Sequence, residues 1–193
     1  MEGVYKPGRQ LSEELISKEL DVSRNTLREA FRLLGHERLL EHRRNRGVFV
    51  TRLTVQDLED LYRVRRVIEG AAIRRPMTAE AMAAMRKAVT DGERAAAAGD
   101  WQATGTANMR FHQALVTLNG SPRLDESMRQ LLAELRLVFH VMENPRELHE
   151  PFVSRNRDLI DLMAEDPGGA AASLEKYFDD AEQLLIHAYD PDR

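Results

Sequence analysis

Arginine and asparagine side chains near the N-terminus have the chemistry to bind DNA. Arg24, Asn25 and Arg28 are spaced so that a helix would carry them on a common face. Guanidinium and amide groups donate hydrogen bonds to base edges and to phosphates. A second basic group contains Arg44 and Arg46. The two groups together predict double-stranded DNA as a partner.

A second set of polar side chains lies where helical periodicity points inward: Arg65, Asn108, His112, Asn156 and Tyr177. An unpaired buried polar group costs on the order of 1–3 kcal/mol, so these side chains need partners. They could bind one another, water or a ligand. The set suits a small polar or carboxylate effector, with Arg65 taking a carboxylate, and the alternative is a hydrogen-bonded core network without a ligand.

The elements that would hold the arginines are two short helices and a hairpin. We predict a first helix from Glu13 to Leu20, capped by Ser12, and a second from Arg24 to about Leu34, capped by Ser23 and closed by Gly35. Strand-like runs at 38–42 and 48–51 flank the second basic group, which makes it the tip of a wing. The first helix would carry Leu15, Ile16 and Leu20 on one face, and the second should direct Leu27, Ala30, Phe31 and Leu34 inward.

The rest of the chain predicts an antiparallel all-helical bundle. Helical periodicity begins at Val55 and is interrupted at Pro76, Gly99, Asn119-Gly120, Asn144-Pro145 and the run from Asp166 to Gly169. The fold class is therefore mainly α. We expect residues 1–52 to form a winged-helix DNA-binding domain and residues 53–193 to form a helical domain for effector binding and dimerisation.

Composition supports this division into two domains. The chain has 193 residues, 42% hydrophobic and 31% charged, with a net charge of −4 and no cysteine. Residues 1–52 hold 11 Lys and Arg against 8 Asp and Glu, whereas the remainder holds 17 against 24. The cationic part thus lies near the N-terminus. The absence of cysteine excludes disulfides and thiol catalysis. No run of the sequence is apolar enough to span a membrane. We expect a cytoplasmic location.

The N-terminal motifs resemble the winged-helix domain of GntR-family transcriptional regulators. The resemblance is carried by Pro7-Gly8, the run from Leu20 to Ala30, and the run from Arg46 to Val50. It implies that Ser23, Arg24 and Arg28 meet DNA and that Arg46 and Gly47 lie at the wing. Glu14 stands where many members carry a DNA-contacting arginine. The family also has a helix before Pro7-Gly8, so we expect a winged helix without its first helix, or a misassigned start.

The C-terminal part is similar to the FadR-like, all-helical domain of the same family, known as FCD. Many such domains hold a divalent metal with one Asp and three His; here those positions correspond to Asn108, His112, Asn156 and Tyr177. The resemblance also implies that Arg65 lines the pocket. Because amides and a protonated phenol are poor ligands, we expect no bound metal and no cofactor. The other histidines, His149 among them, lack metal-ligand spacing and are expected at the surface or at caps.

Three function classes follow. The first is a ligand-responsive regulator, commonly a repressor in this family, that binds a short pseudo-palindrome as a homodimer. The second is a dimeric module that binds a metabolite or a protein and has lost DNA recognition, as Glu14 and the missing helix suggest. An enzyme using His112 is disfavoured, because the sequence provides no partnered nucleophile.

Overall fold

The computed structural model describes residues 5–139, 142 and 144–189, which divide into two compact units. The first unit contains residues 5–54 and 133–139, and the second contains residues 55–132, 142 and 144–189. The predicted domain boundary between residues 52 and 53 stays a prediction.

The first unit is a winged helix-turn-helix. Its elements are β1 Gln10–Leu11, α1 Glu13–Glu19, α2 Arg24–His36, β2 Leu40–Arg43 and β3 Gly47–Val50. Both helices begin at the predicted serines, since the Ser12 hydroxyl accepts from the Leu15 N–H and the Ser23 hydroxyl from the Thr26 N–H. The strands form an antiparallel sheet in the order β1-β3-β2. The predicted hairpin corresponds to β2 and β3, and β1 was not predicted.

The core of this unit is smaller than the sequence predicted. It contains Leu11, Ile16, Leu27, Phe31, Leu40, Val48 and Val50. Leu15 is 68% exposed and Leu20 is 60% exposed, because a helix of two turns directs only a narrow stripe toward the core. Ala30 and Leu34 are also exposed, beside the buried Leu27–Phe31 stripe. The prediction that Ala30 and Leu34 pack inward was wrong, and Leu15 and Leu20 do not share the burial of Ile16.

The second unit is all-helical. Its helices are α3 Val55–Ala72, α4 Ala79–Ala97, α5 Trp101–Val116, α6 Pro122–Phe139, α7 Pro145–Glu165 and α8 Pro167–Tyr189, and residues of α6 from 133 onward belong to the first unit. Helix α5 packs against α3, α4 and α7, while α8 packs against α3 and α7. The predicted helical architecture is confirmed, and none of the described helices is long and apolar enough to cross a membrane.

Several helix ends differ from prediction. Helix α2 continues through Gly35, and the chain turns at Arg38, whose φ is 58°. Helix α7 starts at Pro145, because proline is favourable in the first turn after the Asn144 cap. The helix continues through Pro151. Helix α8 begins at Pro167, so the glycine pair predicted to separate two helices lies in its first turn. The sequence also predicts that this bundle helix, α6, ends near Met142; residues 140, 141 and 143 around that end lie outside the described part of the chain.

Candidate DNA interface and buried polar site

The first turns of α2 expose the side chains expected to meet DNA. Arg24, Asn25 and Arg28 are all exposed, while Leu27 on the opposite face is buried. Ser23 is also exposed, and its hydroxyl caps the helix 3.0 Å from the Thr26 nitrogen. The helix therefore presents guanidinium and amide donors at its N-terminal end, the end that approaches base edges in helix-turn-helix proteins.

Two of these arginines pair with carboxylates of α1. Arg28 Nε donates to Glu13 Oε2 at 2.8 Å, and Arg24 Nη2 lies 3.8 Å from Glu14 Oε1. Sequence reasoning singled out Glu14 but missed the role of Glu13. The position of Glu13 at the start of α1 does not indicate a partner on α2, because the Arg28–Glu13 pair forms only when α1 and α2 pack together. DNA phosphates must compete with both carboxylates for these arginines.

The wing between β2 and β3 is a tight turn with exposed basic residues. Arg44 and Arg46 are exposed at its tip, and the Gln10 amide donates to the Arg46 carbonyl at 2.7 Å. Gly47 has φ +92°, and a Cβ there would lie 3.2 Å from Gln10 Nε2. Glycine is favoured at this position because the positive φ strains any residue with a Cβ, which would also displace the Gln10 amide slightly. Arg43 instead stacks on Phe49, with its guanidinium carbon 4.4 Å from the ring centre.

The five inward-pointing polar residues predicted from periodicity belong to one hydrogen-bond network in the second unit. Arg65, His112, Asn156 and Tyr177 are buried, and Asn108 is half-buried. Their predicted inward orientation is confirmed. The network also contains Glu69, which is fully buried on α3 and which the sequence reasoning missed. Glu69 follows Arg65 by four residues, so extending the same helical stripe would have found it.

Glu69 lies at the centre of the charged half of this network. Its Oε1 accepts from Arg65 Nε at 2.8 Å, and its Oε2 lies 2.5 Å from His112 Nδ1. The Arg65 guanidinium also lies over two rings, 5.1 Å from the centre of Tyr62 and 4.9 Å from that of Phe178. The arginine charge is therefore already compensated by a carboxylate and by aromatic faces.

Burial and charge set the protonation states of this half. Burial by itself raises the pKa of Glu69, but Arg65 and His112 outweigh burial and lower it, so Glu69 is ionised at neutral pH. Burial lowers the pKa of His112; the Glu69 carboxylate acts in the opposite direction, and Arg65 lowers it further. His112 is therefore neutral at neutral pH, with Nδ1–H donating to Glu69. The buried trio then carries no net charge.

The uncharged half of the network runs from His112 to α7. The Tyr177 hydroxyl lies 3.1 Å from His112 Nε2 and 2.9 Å from Asn108 Oδ1, and its single proton can serve either acceptor. Asn156 Nδ2 donates to Asn108 Oδ1 at 2.6 Å. Burial raises the pKa of Tyr177, which keeps the phenol protonated. Two buried polar atoms of these six residues have no hydrogen-bond partner: Arg65 Nη2 and Asn156 Oδ1.

A divalent metal of the kind held by related domains does not fit these residues. Both ring nitrogens of His112 are engaged, Nδ1 with Glu69 and Nε2 with Tyr177. The remaining positions offer two amides and a protonated phenol, which are poor ligands. Within the described ranges, no three His, Cys, Asp or Glu side chains are grouped closely enough to hold an ion.

A narrow cleft opens beside the uncharged half, between α4, α5 and α7. It contains about 250 Å³ of open space, lined by Ala88, Val89, Gly92, Thr104, Asn108, His149, Phe152, Val153 and Asn156. Its enclosed part has room for about one water molecule. Among the predicted effector residues, Asn108 and Asn156 line the cleft, whereas Arg65, His112 and Tyr177 do not.

His149 was expected at the surface or at a helix cap, and the surface position was wrong. The side chain is buried and lines the cleft. Gly105 on α5 makes room for it, since a Cβ at that glycine would lie 2.5 Å from His149 Nε2. A histidine next to Glu150 on α7 gives no sequence signal for burial, because the space for its ring exists only where α5 and α7 pack.

Comparison with known proteins relates both units to transcriptional regulators. Residues 1–50 match the family of bacterial regulatory proteins named gntR, and residues 60–180 match the FCD domain. A solved structure described as a GntR transcriptional regulator from Rhodococcus sp. RHA1 is 41% identical, with a TM-score of 0.91 over 97% of this chain and 92% of that one.

Two curated relatives carry similar descriptions. The HTH-type transcriptional regulator YdhC of Bacillus subtilis is 29% identical over 72% of this chain, which spans only 62% of that protein. The galactonate operon transcriptional repressor of Escherichia coli is 28% identical over 88% of this chain and 83% of the relative. The matched families are regulators rather than enzymes. The chain therefore belongs to the GntR family of transcriptional regulators, in the group that carries an FCD domain.

Proposed function

We propose that this protein is a ligand-responsive transcriptional repressor that binds a short pseudo-palindromic operator as a homodimer in the cytoplasm. The observation that carries the proposal is the exposed N-terminal face of α2, with Arg24 and Arg28, combined with a wing that exposes Arg44 and Arg46. The similarity to a relative named as an operon repressor supports the sign of regulation.

In this proposal α2 reads the major groove and the wing contacts the phosphate backbone. Arg24, Asn25 and Arg28 contact bases or phosphates, Ser23 contacts a phosphate at the helix start, and Arg44, Arg46 and Gly47 place the wing. Two copies of α2 would meet the two halves of a pseudo-palindrome. Residues 1–52 act as the DNA-binding domain and residues 53–193 as the domain for effector binding and dimerisation.

We further propose that the effector is a small polar or carboxylate metabolite in the helical domain, recognised through Arg65, Asn108, His112, Asn156 and Tyr177. The convergence of these side chains supports a ligand site, as do the two polar atoms that lack partners. The effector would bias the spacing or angle of the two α2 helices and so change operator affinity.

Fluorescence anisotropy with DNA from upstream of the gene tests the proposal. We expect selective binding over scrambled DNA, with an affinity that falls steeply as salt rises, because each phosphate contact releases a counterion. Equal affinity for both DNAs, or none, would refute operator recognition at that site.

A second candidate is a dimeric module that binds a metabolite or a protein but not DNA. The pairing of Arg28 with Glu13 and of Arg24 with Glu14 favours it, because these carboxylates repel phosphate. The same titration separates the two candidates, since the module would show no salt-dependent binding to any DNA.

A further inference from the structure

We infer that the cleft between α4, α5 and α7 binds an uncharged hydroxyl- or amide-bearing compound, with Asn156 as the recognition group. The inference deepens the proposed function, on which it rests, because it selects one chemical class for the effector. It also replaces part of the proposed contact set: Asn108 and Asn156 line the cleft and contact the effector, whereas Arg65, His112 and Tyr177 take part only through the hydrogen-bond network.

The first argument is the state of the Asn156 amide. Asn156 is 5% exposed, lines the cleft and donates to Asn108 through Nδ2, while its Oδ1 has no hydrogen-bond partner. A buried amide oxygen without a partner costs on the order of 1–3 kcal/mol. A hydroxyl or amide of a ligand can donate to this oxygen and recover that energy, whereas a carboxylate has only acceptors.

The second argument is the absence of compensating charge. The residues that line the cleft are apolar or neutral polar, with His149 as their titratable member. Arg65, the cation expected to take a carboxylate, does not line the cleft and is paired with Glu69 at 2.8 Å. An anionic ligand would lose its hydration, and His149 is the one lining residue that can carry a positive charge, so the cleft favours an uncharged ligand.

The third argument is size. The enclosed part of the cleft accommodates about one water molecule, which matches the volume of one hydroxyl or one amide NH₂ group. The rest of the cleft is open to solvent, and its apolar lining, which includes Phe152 and Val153, suits a short apolar body. A ligand would thus place its polar end at Asn156 and its apolar body against the apolar residues that line the cleft.

A ligand at Asn156 would also join a chain of contacts between four helices. Asn156 on α7 binds Asn108 on α5, Asn108 binds Tyr177 on α8, and Tyr177 contacts His112, which is paired with Glu69 on α3. A ligand bound in the cleft therefore alters the hydrogen-bond network directly through Asn156, and no metal is needed for this coupling.

The test compares amide and carboxylate probes of matched shape, without DNA. The probes are propionamide against propionate, lactamide against lactate, and benzamide against benzoate. Binding is measured by saturation-transfer NMR and by titration at neutral pH. In at least one pair we expect the amide to bind at least tenfold more tightly than its carboxylate, a difference of about 1.4 kcal/mol.

Two variants locate the binding. Asn156→Leu removes the recognition group, and Val153→Phe fills the open part of the cleft while leaving the network intact. Each should weaken amide binding at least tenfold, whereas the control Asn119→Leu, which loses a bond to the Ile68 carbonyl away from the cleft, should not. The second variant keeps the test valid if Asn156→Leu fails to fold.

Three outcomes would overturn the inference: tighter binding of the carboxylates, amide binding that Val153→Phe leaves unchanged, or no amide binding at millimolar concentration. Because no DNA is present, failure here leaves operator recognition intact. Failure of the anisotropy titration likewise leaves the ligand result standing, so the two failures are distinguishable.

Discussion

Arg28 on the exposed side of α2 is held by Glu13 of α1, with 2.8 Å between Nε and Oε2. The Arg28 side chain is 61% exposed and that of Glu13 is 32% exposed, so the pair adds little stability. Its effect is on DNA binding, because Glu13 must release Arg28 before a phosphate or base can accept from it.

The variant Glu13→Gln should therefore bind operator DNA more tightly. A surface ion pair contributes up to about 1 kcal/mol, so we expect an increase in affinity of up to roughly fivefold at low salt, and less at high salt. Anisotropy titrations measure the change. Glu19→Gln removes the same charge from the end of α1, where Glu19 accepts from Tyr5 rather than from Arg28. An equal gain in both variants would mean that overall charge, not release of Arg28, is responsible.

The variant Arg28→Ala should weaken operator binding. If Arg28 makes a bidentate base contact, the loss is about 1–3 kcal/mol, and discrimination against scrambled DNA falls with it. Arg32→Ala is the matched control, since Arg32 lies one turn further along α2 and pairs with Glu29 of the same helix. Unchanged operator affinity in Arg28→Ala would remove this arginine from base readout.

The free energy of unfolding should decrease as the pH falls from about 7.5 to 5.5. Burial lowers the pKa of His112, while the unfolded chain has the ordinary value of about 6.5. Below about pH 6.5 the unfolded chain binds a proton at His112 that the native state does not bind. The stability that neutral His112 provides is therefore fully present above about pH 6.5 and is lost as the pH falls. The slope reaches at most about 1.4 kcal/mol per pH unit for one proton.

Urea unfolding at several pH values measures this slope. His112→Asn should flatten it, because no buried imidazole then distinguishes the native state from the unfolded state. His36→Asn removes an exposed histidine and should leave it unchanged. An equal slope in wild type and His112→Asn would contradict a depressed His112 pKa.

The variant Gly105→Ala should destabilise the second unit even though alanine is the better helix former. The new Cβ would lie 2.5 Å from His149 Nε2, and overpacking of this kind costs about 1–3 kcal/mol. Gly70→Ala is the control, because its Cβ meets only ordinary contacts at 3.6 and 3.9 Å. It should stabilise α3 by up to about 1 kcal/mol. Thermal unfolding compares the two, and adding His149→Ala to Gly105→Ala should recover stability.

Long amphipathic helices made part of the polar site predictable. The periodicity of α5, α7 and α8 was sufficient to orient His112, Asn156 and Tyr177 inward, because a helix of four or more turns repeats its buried stripe. Short elements gave weaker signals. The two residues of β1 are too few to show alternation, and α1 is too short for its pattern to decide whether Leu15 or Ile16 is buried.

Glu69 and His149 were missed for a different reason. An ionised carboxylate is expected at the surface, and Glu69 is buried only because Arg65 and His112 meet it from two helices. His149 is buried because Gly105, 44 positions earlier, leaves space for its ring. The i,i+4 spacing from Arg65 was the one local signal for Glu69, and the charge of a carboxylate argued against it. The burial of His149 depends on packing between helices and leaves no local pattern in the sequence.

Selection from a random DNA library is the most direct test of the central claim, that the face of α2 and the wing recognise a specific DNA sequence. The purified chain is incubated with random duplexes, and bound DNA is amplified and sequenced over several rounds. We predict enrichment of one short pseudo-palindrome, with enrichment reduced or altered in Arg28→Ala. Sequencing that shows no enriched motif, although the protein is folded, would contradict the regulator and favour the module that does not bind DNA.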